Sequence, residues 1–231
     1  MQQIAENVWI LRYSLPLLGH DLGRVVTLIR LRSGKLVIHS TAPFSAEDVA
    51  AIGQLGEPTW LVDATLFHDS FAKEAQPAFP KLSYLAPRRF EEVATVETLP
   101  LAPAPNEWAG ELEVIPLAGM PKVQEHVLFH LPSRTLIVCD FFFNFGVSGS
   151  AWRRFVVRHV MRLQKGIGMS LFFRLMIKDR AAFRESVRPI LALNFDRIIV
   201  GHGDVIEADA QRMLGQELEA RDLLPPVRVI E

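Results

Sequence analysis

Cys139 is the only cysteine in this 231-residue chain, which excludes an intrachain disulfide and a thiolate zinc cluster. It lies inside an apolar run and reads as a small buried hydrophobe. Long apolar runs are missing too. None reaches the roughly 18 residues of a membrane span, and no basic segment is followed by an apolar signal core. The expectation is a soluble, cytoplasmic protein, with a peripheral membrane contact left open. Net charge is nearly absent, at −1 from 25 Lys and Arg against 26 Asp and Glu, which excludes a globally basic nucleic-acid binder. Internal repeats and low-complexity tracts are absent. What is present, 49% hydrophobic and 22% charged residues, suits a single domain over 1–231 with a full core.

Four short, mostly β-branched runs end in polar residues. Thr135-Leu136-Ile137-Val138-Cys139 ends in Asp140, and Lys35-Leu36-Val37-Ile38 runs into His39-Ser40. Trp60-Leu61-Val62 runs into a turn carrying His68-Asp69, and Arg197-Ile198-Ile199-Val200 into Gly201-His202-Gly203. Such runs read as buried strands. In layered α/β proteins ligand sites lie at the carboxyl ends of buried strands, so the four ends point to one site.

The rest of the chain fits around them. Residues 7–13 read as a first strand, and Ser33-Gly34 turns 25–31 into 35–40 as a hairpin. Ser45 with Asp48 caps a helix running to about Leu55, and a short helix after Asp69 ends near Pro77. Strands are expected at 82–85, 111–117 and 124–131, and the proline-rich stretch 99–106 is loop. Helices, the strand at 197–200 and a final helix at about 207–221 complete the chain. This succession does not alternate as plain βαβ units. It predicts an α/β (α+β) protein of two mixed sheets packed together with helices outside.

The block from His126 to Phe145, with Leu131-Pro132, a short turn and then Leu136-Ile137-Val138-Cys139-Asp140, resembles the metallo-β-lactamase-fold superfamily. The late Ile198-Ile199-Val200-Gly201-His202-Gly203 resembles it as well, and the likeness extends over nearly the whole chain. It implies an αββα metallo-β-lactamase-like sandwich in which Asp140 and His202 bind metal. The strand ending Ile38-His39-Ser40 is similar to a poorly characterised, divergent subfamily. The superfamily's early His-x-His-x-Asp-His signature is altered here. Its first two histidine positions fall on Ala64 and Leu66, His68 falls on the aspartate position, and Asp69 falls on the last histidine position. A further ligand position falls near Lys122, which cannot bind metal while protonated. The resemblance therefore implies a degenerate site, with the first metal position lost and a second one made by His68, Asp69, Asp140 and His202.

Two imidazoles and two carboxylates suit Zn²⁺, with Mn²⁺ or Fe²⁺ as alternatives, and no metal at all if the site is fully degenerate. One metal with an open position acidifies water and polarises a carbonyl or phosphoryl oxygen. Asp69 or His39 is then the nearest general base, His39 being also a candidate to orient an aspartate. Plainer readings stand beside these: His68 as a helix-start cap, Asp140 as a turn carboxylate, His202 as an ordinary strand-end residue. His126 and His130 share one strand face and read as exposed or edge histidines, and His20 reads as a solvated loop residue.

Between Ala151 and Arg188 ten Lys and Arg face two acids, so this stretch carries +8 and the remainder −9. Residues 146–190 therefore read as a basic helical insertion or lid. Within a helix expected from Trp152 to Lys165, Arg154, Arg158 and Arg162 form one stripe, and Trp152, Phe155, Val156, Val160 and Leu163 form most of the other face. Three readings are open: solvated helices covering the sandwich, a lid whose arginines attract an anionic substrate, and a basic amphipathic surface for anionic lipid or a partner such as a second copy. The functional expectation is a mononuclear metal-dependent hydrolase of an anionic small molecule or ester. The alternative is a non-catalytic pseudoenzyme that binds a ligand, a membrane or a partner. Nucleic acid is not expected as a partner.

Overall fold

The computed structural model describes residues 1–17, 19–147 and 149–225. β1 (Gln2–Ala5) and β2 (Val8–Tyr13) precede a small ribbon, β3 (Pro16–Leu17) with β4 (His20–Asp21). β5 (Arg24–Arg30), β6 (Lys35–His39), β7 (Glu57–Val62), β8 (Ser83–Ala86) and β9 (Leu99–Pro100) follow. All but the ribbon join one seven-stranded sheet in the order β1-β2-β5-β6-β7-β8-β9. Its pairs are antiparallel up to β6 and parallel from β6 onward. Parallel neighbours need crossovers, and α1 (Ala46–Leu55) supplies the one from β6 to β7. Its start is fixed by the expected capping box: the Asp48 N–H donates to Ser45 Oγ at 3.1 Å and the Ser45 N–H to Asp48 Oδ2 at 3.0 Å. α2 (Ala72–Ala78) and α3 (Phe90–Ala94) complete that flank.

β10 (Leu112–Pro116), β11 (His126–His130) and β12 (Thr135–Ile137) are antiparallel neighbours in a second sheet. A ribbon of β13 (Phe143–Asn144) and β14 (Ile167–Gly168) follows, and β15 (Arg197–Ile199) then adds in parallel to β12. The helices of this half are α4 (Ala151–Phe155), α5 (Leu171–Met176), α6 (Arg180–Ala192) and α7 (Ala210–Ala220).

Side-chain alternation builds the layers. Val37, Trp60 and Val62 of the first sheet meet Leu128, Ile137 and Ile199 of the second in a core between the sheets. The opposite face of the first sheet, with Leu36 and Ile38, packs on Ile52 and Phe90 of its helices. The outer face of the second, with Leu136 and Ile198, packs on Phe183, Val187, Leu214 and Leu218. The result is the expected αββα sandwich.

Four local expectations need correction. The stretch 99–106, expected as loop, begins with β9, which adds in parallel to β8. β1 extends the first sheet ahead of β2 and carries no strong period-2 signal of its own. The helix expected from Trp152 to Lys165 is shorter: α4 passes into one π-helical turn, Val156–Val160, and stops. Arg162 and Lys165 then take left-handed conformations (φ 56° and 52°), which turn the chain back into β14. His126 and His130 are buried, because β11 has a neighbour on each side and its Leu128 face lies against the first sheet.

Burial lowers the His130 imidazole to about 4, against an opposing pull from Glu111. Its ordinary value is about 6.5, so the folded state resists a proton that the unfolded chain accepts. This contribution to stability is whole above about pH 6.5 and is lost as pH falls toward 4. His130→Gln is expected to retain more of its pH 7 stability at pH 5 than the parent does, as read from urea-unfolding midpoints at the two pH values.

Candidate metal centre

Backbone bonds between the sheets hold the site together. The loop after β7 crosses to the second sheet, where Leu66 N–H donates to Val123 O at 2.8 Å and Ala64 O accepts the His126 N–H at 2.7 Å. From the other side, the Val25 N–H of β5 donates to Gly201 O at 2.9 Å. Two glycines make this approach possible. A Cβ at Gly201 would stand 3.0 Å from the His68 ring, and one at Gly203 would stand 2.0 Å from Asn144 O with φ at 109°.

These contacts gather His68, Asp140 and His202. Each offers one ligand atom, and the three atoms lie within 4.8 Å of one another. His68 Nε2 is 3.8 Å from Asp140 Oδ2, and His202 Nε2 is 3.5 Å from Asp140 Oδ1. The two imidazoles meet edge to face at 5.3 Å, and Phe143 stacks on His202 at 5.8 Å.

Each ring nitrogen pointing away from the cluster has a partner. His202 Nδ1 lies 2.5 Å from Gly23 O, an acceptor, so the proton sits on Nδ1 and Nε2 is free for a metal. His68 Nδ1 lies 3.0 Å from Ser40 Oγ, which also accepts from Arg24 Nη1 at 2.9 Å. A serine oxygen has two lone pairs and can take both bonds, leaving His68 Nε2 bare. Burial first, then the charges of Arg24 and His202, hold His68 well below the usual imidazole range, so it is neutral, the form that binds metal. His68 Nε2 and Asp140 Oδ2 are both buried without a hydrogen-bond partner. Orphaned donor atoms converging from two imidazoles and a carboxylate fit a divalent metal.

Asp69 does not join them. It begins a 3₁₀ turn, half-buried, and lines the wall of the adjoining cavity. His39 is also outside the group. Strand alternation sends it with Val37 into the layer between the sheets, where Nε2 lies 3.6 Å from Cys139 Sγ and burial lowers its imidazole to about 3. Ala64 is core, whereas Leu66 and Lys122 line the cavity. Arg154, Arg158 and Arg162 line a different cavity from the one at the site. The side chain of His20 lies outside the described residues.

Two site residues, Arg24 and Glu125, have no motif of their own, while Ser40 belongs to the Ile38-His39-Ser40 strand end. Arg24 and Ser40 form the relay behind His68. Glu125 is fully buried, and its carboxylate accepts the backbone N–H groups of Cys139 (2.8 Å), Asp140 (3.0 Å) and Phe141 (3.1 Å). Burial first, then the Asp140 charge, push its carboxyl up to about 8, against the downward pull of these three bonds. The one available signal is positional: Glu125 immediately precedes a buried strand. Glu125→Gln puts an amide NH₂ where a second acceptor is needed. It is expected to stay folded but to weaken metal binding about 10- to 100-fold, as measured by chelator competition.

No protein-family model matches the chain, and no curated protein matches it by sequence. Solved structures do match. A metallo-β-lactamase from Erythrobacter litoralis superposes with TM-score 0.64 at 15% identity, covering 94% of this chain and 95% of its own. One from Hirschia baltica gives 0.62 at 12% identity, covering 97% of each. FIM-1 from Pseudomonas aeruginosa, in its mono-zinc form, gives 0.59 at 11% identity over 96% of this chain and 95% of its own. The topology, the layer order and these superpositions agree: the chain has the metallo-β-lactamase fold over 94% to 97% of its length.

Proposed function

We propose that this chain is a hydrolase working with one divalent metal, zinc in first place, held by His68, Asp140 and His202, and that its substrate is an ester or anionic small molecule with an apolar portion. The reading rests on the pair of orphaned atoms, His68 Nε2 and Asp140 Oδ2, beside His202 Nε2. Asp140 and His202 line a cavity of about 670 Å³. A metal with three protein ligands keeps a position open, and when bound it supplies Lewis acidity toward a carbonyl or phosphoryl oxygen together with acidified water.

The chain's own residues supply the rest. Phe67, Val156, Met161 and Phe172 of the cavity wall receive the apolar part of the substrate and exclude water. Asp69, on the same wall but outside the ligand group, takes the proton as general base. His39 is sealed against Cys139 and cannot take that role. Lys122 and Arg24 are the cations lining this cavity, and they attract an anionic group.

A second reading, a ligand-binding protein without catalysis, is favoured by two observations. Leu66 and Lys122 line the cavity where the superfamily's other metal would have its ligands. With Arg24 already donating to Ser40, the serine's own hydrogen can go to His68 Nδ1, placing the ring proton on Nε2 against Asp140. The orphaned pair at 3.8 Å supports the metal reading over this one, since an Nε2–H so placed would itself lack a partner.

Elemental mass spectrometry of untagged protein is expected to find about one metal per chain, lost in the Asp140→Ala/His202→Ala variant. An empty parent after incubation with zinc, manganese and iron would establish the second reading instead. With p-nitrophenyl esters of graded acyl length, Asp69→Asn should keep its metal and lose about 10²- to 10⁴-fold in kcat.

A further inference from the structure

Residues 151–160 run between two cavities. Val156 and Val160 line the metal-site cavity, while Arg154 and Arg158 line a second cavity of about 950 Å³. Arg162, Lys165, Arg174 and Arg221 also line the second cavity, with no Asp or Glu among its described lining residues. Glu217 reaches Arg221 at 2.9 Å and neutralises one of these charges. Arg174 is held below the usual guanidinium range by burial and by the charges of Arg221 and Arg162, so these cations crowd one another. Such a cluster is under mutual repulsion until an external anion offsets it.

Apolar side chains stand exposed on this segment, in the loop before it and on α5. Val147, Trp152, Phe155, Val160, Phe172 and Leu175 are between 47% and 73% exposed. The aromatics among them make ring contacts of their own. Trp152 stacks on Phe155 at 5.5 Å, and its Nε1 lies 3.3 Å from the Cβ position of Gly19, beside the exposed Leu17. Phe172 packs on Phe67 at 5.5 Å, and the Leu171 N–H donates to Met161 O at 2.7 Å. Leu17, Val160 and Phe172 are at once exposed and part of the metal-site cavity lining. Singly exposed apolar residues need no explanation, but a group of exposed apolar side chains beside a cavity mouth does. None of the helices is long and apolar enough to cross a membrane.

We propose that this face docks on an anionic lipid surface, with Trp152, Phe155, Phe172 and Leu175 entering the headgroup boundary and the arginine cluster binding lipid phosphates. Charge complementarity argues for this occupant. An apolar face flanked by a dense cationic cluster with a single neutralising acid matches an anionic bilayer, in which both chemistries lie side by side. A soluble anion would satisfy the arginines and leave the aromatics in water. A second copy would place one cationic cluster near another. Docking does not depend on the hydrolase reading. If that reading holds, docking opens the apolar cavity toward the lipid phase as its source of substrate.

The test is co-sedimentation of the full-length protein with phosphatidylcholine vesicles, with and without phosphatidylglycerol, at low and at physiological salt. The parent should bind the anionic vesicles, more weakly as salt rises. Arg158→Glu/Arg162→Glu should lose about tenfold or more of that binding. Phe155→Ser/Leu175→Ser should lose binding; both side chains are about half exposed (49% and 58%) and neither lines the metal-site cavity, so thermal unfolding close to the parent's separates lost docking from lost folding. Three results would overturn the proposal: no vesicle binding at low salt, equal binding by the charge-reversed variant, or tripolyphosphate binding or dimer formation without vesicle binding. Metal content, measured separately, bears on the hydrolase reading and leaves this one untouched.

Discussion

Three consecutive backbone N–H groups, those of Cys139, Asp140 and Phe141, end on one buried carboxylate, and the geometry of the site hangs from that contact. β12 stops at Ile137, and beyond Val138 the chain leaves the sheet inside the core, where water cannot satisfy its donors. Glu125 satisfies all three. That fixes where Asp140 emerges. The Glu125 carbonyl also accepts the Leu117 N–H at 2.8 Å, so the residue ties the end of β10 to the end of β12. Burying a carboxylate is costly, and a carboxylate surrounded by amide donors is one of the few forms in which a core can hold it.

The position of the site was legible in the sequence because it follows from strand burial. Apolar runs that end in His or Asp deliver polar groups to one edge of a layered fold, and all four strand ends reach it, three with His68, Asp140 and His202 and the fourth with Ser40 in place of His39. Which polar residue of each pair enters the site was harder to read. His39 and Ser40 are neighbours, and alternation from Val37 sends His39 into the layer between the sheets. Ser40, with φ at 76°, turns the other way toward His68. His68 and Asp69 are likewise adjacent, and the 3₁₀ turn beginning at Asp69 separates them. The spacing of His-x-His-x-Asp-His cannot carry that information once its residues have changed. Glu125 and Arg24 were silent for another reason. Each acts through one tertiary contact across 14 to 16 residues of sequence, and no local pattern requires them.

Arg154, Arg158 and Arg162 illustrate the difference between a periodicity and a direction. All three line one cavity, but Arg162 reaches it through the left-handed turn after Val160 and not by the expected helical spacing. The spacing does not say what that cavity is. The helix puts its arginines on one side and Val156 and Val160 on the other, so the expected anion-attracting lid is apolar where it meets the metal-site cavity.

Dielectric cost gives this arrangement a physical reason. A cation facing an apolar cavity loses hydration that nearby wall atoms cannot replace, and a carboxylate must be spent to hold it. The site contains one such cation deep in the protein, Arg24, which is 1% exposed. Burial works against its charge, while Asp63 and Asp140 support it. Asp63 is itself buried, accepting from Thr41 and from Tyr84, and burial pushes its carboxyl up to about 6. Holding one guanidinium thus already draws on two carboxylates, one of them a member of the candidate ligand group. Three more arginines on the same wall would demand further acids that the cavity lining does not supply, and would draw the negative charge of Asp140 away from a metal. Placing them on the solvent side of the helix keeps the cavity dry and leaves Asp140 free to act as a ligand.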